Sequence, residues 1–150
     1  MNRFSARVVA GIVAAASIAS VARAEENAMS QNVETLKLLY ERFNARDIDG
    51  VLAQLSDDVE WANGMDGGHI QGHDGIRAYW TRQWSLVDPH VEPVHFDQGA
   101  DGALVVEVKQ TIRDLAGNPV EEKGLRDKTV GHIFHFAGGK VVRFDIREQE

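Results

Sequence analysis

The chain contains no cysteine. That excludes disulfides, thiolate metal centres and cysteine nucleophiles together, and leaves the core to hold the fold unaided. Proline is scarce: there are three in 150 residues, and no Pro- or Gly/Ser-rich linker divides the chain. Positive charge is also in short supply, with 16 Lys and Arg against 23 Asp and Glu, a net charge of −7. A protein this acidic repels nucleic acid and anionic lipid, and no basic stripe offsets that repulsion. No apolar run reaches the roughly 20 residues of a membrane span. Nucleophile-elbow, phosphate-loop, HExxH and dinucleotide fingerprints are all missing, as are internal repeats and low-complexity tracts.

The ends of the chain carry information of a different kind. Residues 1–24 read as a secretory signal. Arg3 and Arg7 form a basic front, Val8 to Ala19 an almost unbroken apolar run, and Ala22-Arg23-Ala24 a small-residue cleavage site. An uncleaved anchor is the alternative. Cleavage after Ala24 would remove three arginines and no acid, leaving 13 basic against 23 acidic residues, a net charge of −10. An exported protein is expected, periplasmic by default for a bacterial chain. The remainder suits one domain, with residues 25–32 as a flexible leader and 33–150 as the folded unit.

Within that unit, Val33, Leu36, Leu39, Tyr40 and Phe43 recur at helical spacing. FNARDIDGVLAQLSDDVEW (Phe43 to Trp61) then holds a helix end, a second helix capped by Asp47, a stop at Ser56 to Asp58 and the start of a strand. A glycine-punctuated loop carries His69 and His73. Asp74 is positioned to cap a third helix, on which Ile76, Tyr79, Trp80, Gln83, Trp84 and Val87 share a face. Strands are expected after Pro89: one from Val94, one over Leu104 to Ile112, one from the Gly117-Asn118-Pro119 turn to Phe136, and one over Val141 to Arg147. Gly138-Gly139 closes the last hairpin. The class is α+β.

The first of these stretches, together with IQGHDGIRAYW (Ile70 to Trp80) and HIFHFAGGKVVRF (His132 to Phe144), resembles the SnoaL-like branch of the NTF2-like superfamily. That superfamily includes the ketosteroid isomerases. The resemblance covers roughly Val33 to Arg147. It implies a cone, with three N-terminal helices packed in a curved, mostly antiparallel sheet, an apolar pocket inside and an outer face that often makes a homodimer. It does not imply one function, because this fold hosts isomerases, dehydratases, cyclases, hydrolases and plain binding proteins.

Strand alternation selects the side chains that reach such a pocket. Val130, His132, Phe134 and Phe136 share the more apolar face of their strand, as do Val59, Trp61 and Asn63, and Leu104 to Ile112 with Gln110. The polar groups inside are then His132, Asn63 and Gln110, with Tyr40, Trp61, Tyr79, Trp80, Trp84 and Phe134 as ligand-contacting walls and His69 at the mouth. Ungapped matching to the isomerases puts Asn63 at the place of the aspartate base and His132 at that of the oxyanion acid. Leu39 falls at the tyrosine's place, and Tyr40 points about 100° away around the helix. An amide is no base, so ketosteroid isomerisation is excluded by this reading. Three alternatives stay open. His132 could act as acid/base with Asn63 polarising a carbonyl, in a cofactor-free lyase or isomerase. The same pocket could bind a small hydrophobic organic molecule without turnover. Or aromatic side chains could close it, leaving an interaction module. No metal site is expected, since His69 and His73 sit in a loop and His132 and His135 face opposite ways. Asp145 is read on the outer face with Arg143 and Arg147, opposite an inward set of Val142, Phe144 and Ile146, turning inward to His132 only if the closing strand twists or bulges.

Overall fold

The computed structural model describes residues 5–120 and 126–148, with the backbone alone for residues 5–16. The basic front and most of the apolar run of the signal reading therefore lie outside the described side chains. Helix α1 (Ser5–Asn44) is followed by α2 (Ile48–Leu52), β1 (Leu55–Ala62), β2 (His69–Gln71) and α3 (Gly72–Leu86). Four long strands complete the chain: β3 (Val87–Gln98), β4 (Leu104–Asp114), β5 (Lys128–Ala137) and β6 (Lys140–Glu148). They form one curved, unclosed six-stranded sheet in the order β2-β1-β6-β5-β4-β3. All neighbours are antiparallel except β1 and β6. Among the described residues, no helix is long and apolar enough to cross a membrane.

Local chemistry sets the breaks. Arg46 adopts a left-handed conformation (φ 61°) at the end of α1, where the Asp47 N–H bonds back to the Arg42 carbonyl. Asp47 then caps α2, its carboxylate accepting from the Gly50 N–H at 2.9 Å. Gly138 and Gly139 both have positive φ, as a two-residue turn matched to the twist of β5 and β6 requires.

Of the apolar set foreseen on α1, Leu36, Leu39 and Tyr40 are buried, at most 3% exposed, while Val33 and Phe43 are partly buried against the core. With Trp61, Trp80, Val106, Val130, Phe134 and Phe144 they form one core between the helices and the concave face of the sheet. Aromatic packing holds its centre. Trp61 stacks on Phe144 at 4.1 Å and meets Trp80 edge-on at 5.4 Å. Asn44 fastens α1 to β3, its amide bonding both the N–H and the carbonyl of Val91 at 3.0 and 2.7 Å.

Several elements depart from the sequence reading. Residues 25–32 are helical as part of α1 rather than a loose leader; Glu25, Glu26, Ala28, Met29 and Gln31 are good helix formers and no Gly or Pro interrupts them. Ser56 to Asp58 already belong to β1, because α2 ends at Leu52. Helix α3 starts at Gly72, so Asp74 lies in its first turn and does not cap it. Edge strand β2 has only three residues, too few for a readable alternation. Strand β3 follows α3 without a loop and contains both Pro89 and Pro93, which an edge strand tolerates. The helices and strands are thus interleaved, with β1 and β2 ahead of α3. A bulge opposite His135 and Phe136 turns Val141, not Val142, into the core.

Candidate functional site

Between α1, α3 and the concave sheet face lies a cavity of about 90 Å³. Trp61, Trp80, Phe134 and Phe144 give it aromatic walls, and His132, Tyr40, Tyr79, Gln83 and Gln110 its polar atoms. Among the described residues, no carboxylate, lysine or arginine lines it. Its size is below the roughly 150 Å³ that accommodates benzene, so a whole ring enters only as the walls move apart.

His132 reaches the cavity because it shares a pleat with Val130 and Phe134, both fully buried. It is the one buried polar or charged residue among the described residues, at 7% exposure. Its Nδ1 lies 2.8 Å from the Tyr40 hydroxyl, the two rings nearly parallel at 12°. Phe144 presents its ring perpendicular to the imidazole at 4.8 Å. Burial pushes the His132 pKa down to about 3, and burial also raises that of Tyr40 well above its ordinary value. Both groups are therefore neutral at pH 7.

Neutrality and acid strength together select the tautomer. A phenol is a better proton donor than a neutral imidazole N–H, and imidazole nitrogen a better acceptor than phenol oxygen. Tyr40 O–H therefore donates to Nδ1, which leaves the His132 proton on Nε2. That nitrogen bonds no other described residue. The pair presents an oriented N–H to whatever occupies the cavity, and it carries no charge. As a base it is weak, because its basic nitrogen is already engaged and its protonated form is disfavoured by burial.

The sequence singled out His132 and Tyr40 separately but did not pair them. The signal was there: two polar groups inside otherwise apolar sets have to satisfy each other. Trp61, Trp80, Phe134 and Gln110 line the cavity as read, and the Gln110 amide also donates to the Arg126 carbonyl at 3.4 Å. Asn63 is placed differently. It lies one residue past β1, where its side-chain oxygen accepts from the Met65 and Asp66 N–H groups at 3.0 and 2.9 Å. It shapes the loop instead of facing His132. Trp84 stacks on Trp80 behind the cavity wall and carries the Arg46 guanidinium 5.1 Å above its ring. Tyr79 and Gln83, from α3, take wall positions that Trp84 was expected to share.

A second, more polar chamber of about 370 Å³ adjoins the first. Ala62, Gly64, Gln110 and Ile146 line both and lie where the two meet. Asn63, His69, Lys128, Asp145 and Glu148 line only the outer one. His69 is held there by Asp145, with Nε2 at 2.7 Å from the carboxylate. Arg143 grips the same carboxylate at 2.8 Å and Glu60 at 2.5 Å. Asp145 thus turns away from His132, on the opposite pleat, and the bulge lies too far along β6 to reverse it. Partial burial pushes the Asp145 carboxyl up, but Arg143 and His69 together outweigh it and hold the pKa below its ordinary value. His73 donates to the Leu55 carbonyl at 3.0 Å. Among the described residues, no three His, Cys, Asp or Glu side chains converge as a metal site would require.

The comparisons with known proteins follow this architecture. An NTF2-like protein of unknown function from Burkholderia pseudomallei K96243 is 27% identical, over 79% of this chain and 91% of that one, with a TM-score of 0.64. TerC, co-crystallised with polyporic acid, is 25% identical over 79% and 92%, with a TM-score of 0.66. A Mycobacterium tuberculosis protein in complex with estradiol-17β-hemisuccinate shares the fold at 12% identity, over 79% and 94%, with a TM-score of 0.64. No curated protein gives a significant match. The model of the SnoaL-like domain matches residues 36–144, from the buried face of α1 to the Phe144 that packs on His132, and the chain belongs to that SnoaL-like family.

Proposed function

We propose that this protein binds a small, largely apolar organic molecule in the inner cavity, with a ligand oxygen accepting a hydrogen bond from His132 Nε2. The observation that carries the reading is the neutral Tyr40–His132 pair set among aromatic walls. An oriented donor in a dry apolar pocket favours a carbonyl oxygen over water, because a polar group left alone there is costly. The polyporic acid complex of TerC lends support, as a family relative holding a small organic molecule.

Binding is favoured over turnover. Enolisation or dehydration needs a proton acceptor, and the cavity offers only a weakly basic imidazole and a protonated phenol. The second reading, a cofactor-free lyase or isomerase using His132, draws on the fixed orientation that Tyr40 gives the ring. Asn63 has no part in it from its present position. We further propose export by residues 1–24, to the periplasm of a bacterial cell, and a homodimer through the outer sheet face.

The test is the thermal midpoint across small carbonyl, phenol and terpenoid compounds, on the wild type and on His132→Phe. A ligand at 100 times its dissociation constant adds about 2.7 kcal/mol of stability. Shifts with carbonyl compounds that disappear in His132→Phe support the proposal, and incubation of those compounds with the protein then separates binder from enzyme. A wild type that responds to none of them refutes it.

A further inference from the structure

Lys128 lies on the same pleat of β5 as Val130 and His132, so its side chain leaves the concave face of the sheet. It stands four positions before His132, about 14 Å along the strand. Its cross-strand neighbour is Gln110, which lies where the two chambers meet. The side chain is only 21% exposed, yet its ammonium has a single partner among the described residues, Glu148 at 2.9 Å. Glu148 is 70% exposed and lies at the end of β6. A lysine whose stem is largely covered and whose ammonium lies on the wall of a chamber, held by one exposed carboxylate, is a cation with spare donors. The other charges in that chamber are committed: Asp145 to Arg143 and His69, as described above.

Building on the cavity reading, we propose that the two chambers are one bipartite site for a small amphipathic carboxylate. The apolar head enters the inner cavity with its carbonyl on His132 Nε2. The carboxylate passes Gln110 and takes the place of Glu148 on the Lys128 ammonium. The inner cavity supplies apolar contact and one oriented donor, and the outer chamber discriminates acids from neutral analogues. Glu148 acts as an internal competitor that occupies the cation when no ligand is present.

The test compares 5-oxo-5-phenylpentanoate with its primary amide, which keeps the ring, ketone and chain and removes the charge. Titration calorimetry of the full chain at low salt gives the ratio of the two affinities. A wild-type preference for the acid of about tenfold is expected, as for a charge-assisted hydrogen bond. Lys128→Met should bring the ratio to about one, Lys128→Arg should keep it well above one, and Glu148→Gln should raise it. If the amide binds as tightly as the acid, or the preference survives Lys128→Met, the bipartite site is overturned while the inner cavity stands. If neither compound binds the wild type, the cavity reading falls and the bipartite site with it.

Discussion

Acidification from pH 7 to pH 5 charges His132 in the unfolded chain but leaves it neutral in the fold. The unfolded imidazole titrates near its ordinary 6.5, and the buried one at about 3. Between those values the unfolded state binds the extra proton, so stability attributable to this residue is complete above about pH 6.5 and declines as the pH falls towards 3. The slope approaches 2.303RT per pH unit, and the loss between pH 7 and pH 5 is about 2 kcal/mol. Carboxylates also lose stabilisation in acid, so the informative quantity is a difference. Urea unfolding of the wild type and of His132→Phe at a series of pH values gives it, because terms distant from the substitution cancel. The wild type should lose about 2 kcal/mol more than the variant over this interval. Parallel profiles would mean that the folded imidazole accepts a proton as readily as the unfolded one. The desolvated, neutral pair on which the site rests would then be wrong.

Tyr40→Phe keeps the ring and removes the hydroxyl from Nδ1, and should cost about 1–3 kcal/mol by leaving a buried acceptor unpaired, measured by chemical unfolding at pH 7. Loss below 0.5 kcal/mol would show that water replaces the phenol at no cost. Asn44→Ala removes both hydrogen bonds to Val91 and should cost about 2 kcal/mol, with faster amide exchange at Val91. The two tyrosines, Tyr40 and Tyr79, are both raised in pKa by burial. Phenolate absorbance should therefore appear only above the ordinary value near 10, in step with unfolding; a fraction titrating at 10 in the native protein contradicts that burial.

Much of the fold was legible because it is written in short-range patterns. Helical spacing marked the buried face of α1, the Asp47 cap placed α2, and period-two alternation put Val130, His132 and Phe134 on one inward face. The Gly138-Gly139 turn was readable for the same reason. What escaped depends on tertiary context. The bulge that exchanges Val142 for Val141 belongs to the pairing of β5 with β6 and leaves no local mark. Asn63 continued the alternation of β1 on paper, but the strand ends at Ala62 and the side chain closes a turn instead. Trp84 shares a helix face with Trp80, yet one turn further along it lies behind the wall. The Tyr40–His132 bond joins residues 92 apart in the chain, so no local pattern reveals it. Lys128 did continue the inward alternation of β5 and could have been found by extending it two residues.

The central claim is that His132 is a neutral, oriented donor facing a cavity that takes an organic acceptor. Nitrogen-15 NMR of the imidazole at pH 5 tests it most directly, with and without acetophenone. The account predicts a neutral ring at that pH, protonated on Nε2 and not on Nδ1, with the Nε2 resonance alone shifting strongly when the ketone is added. An imidazolium at pH 5, or a proton on Nδ1, would contradict it.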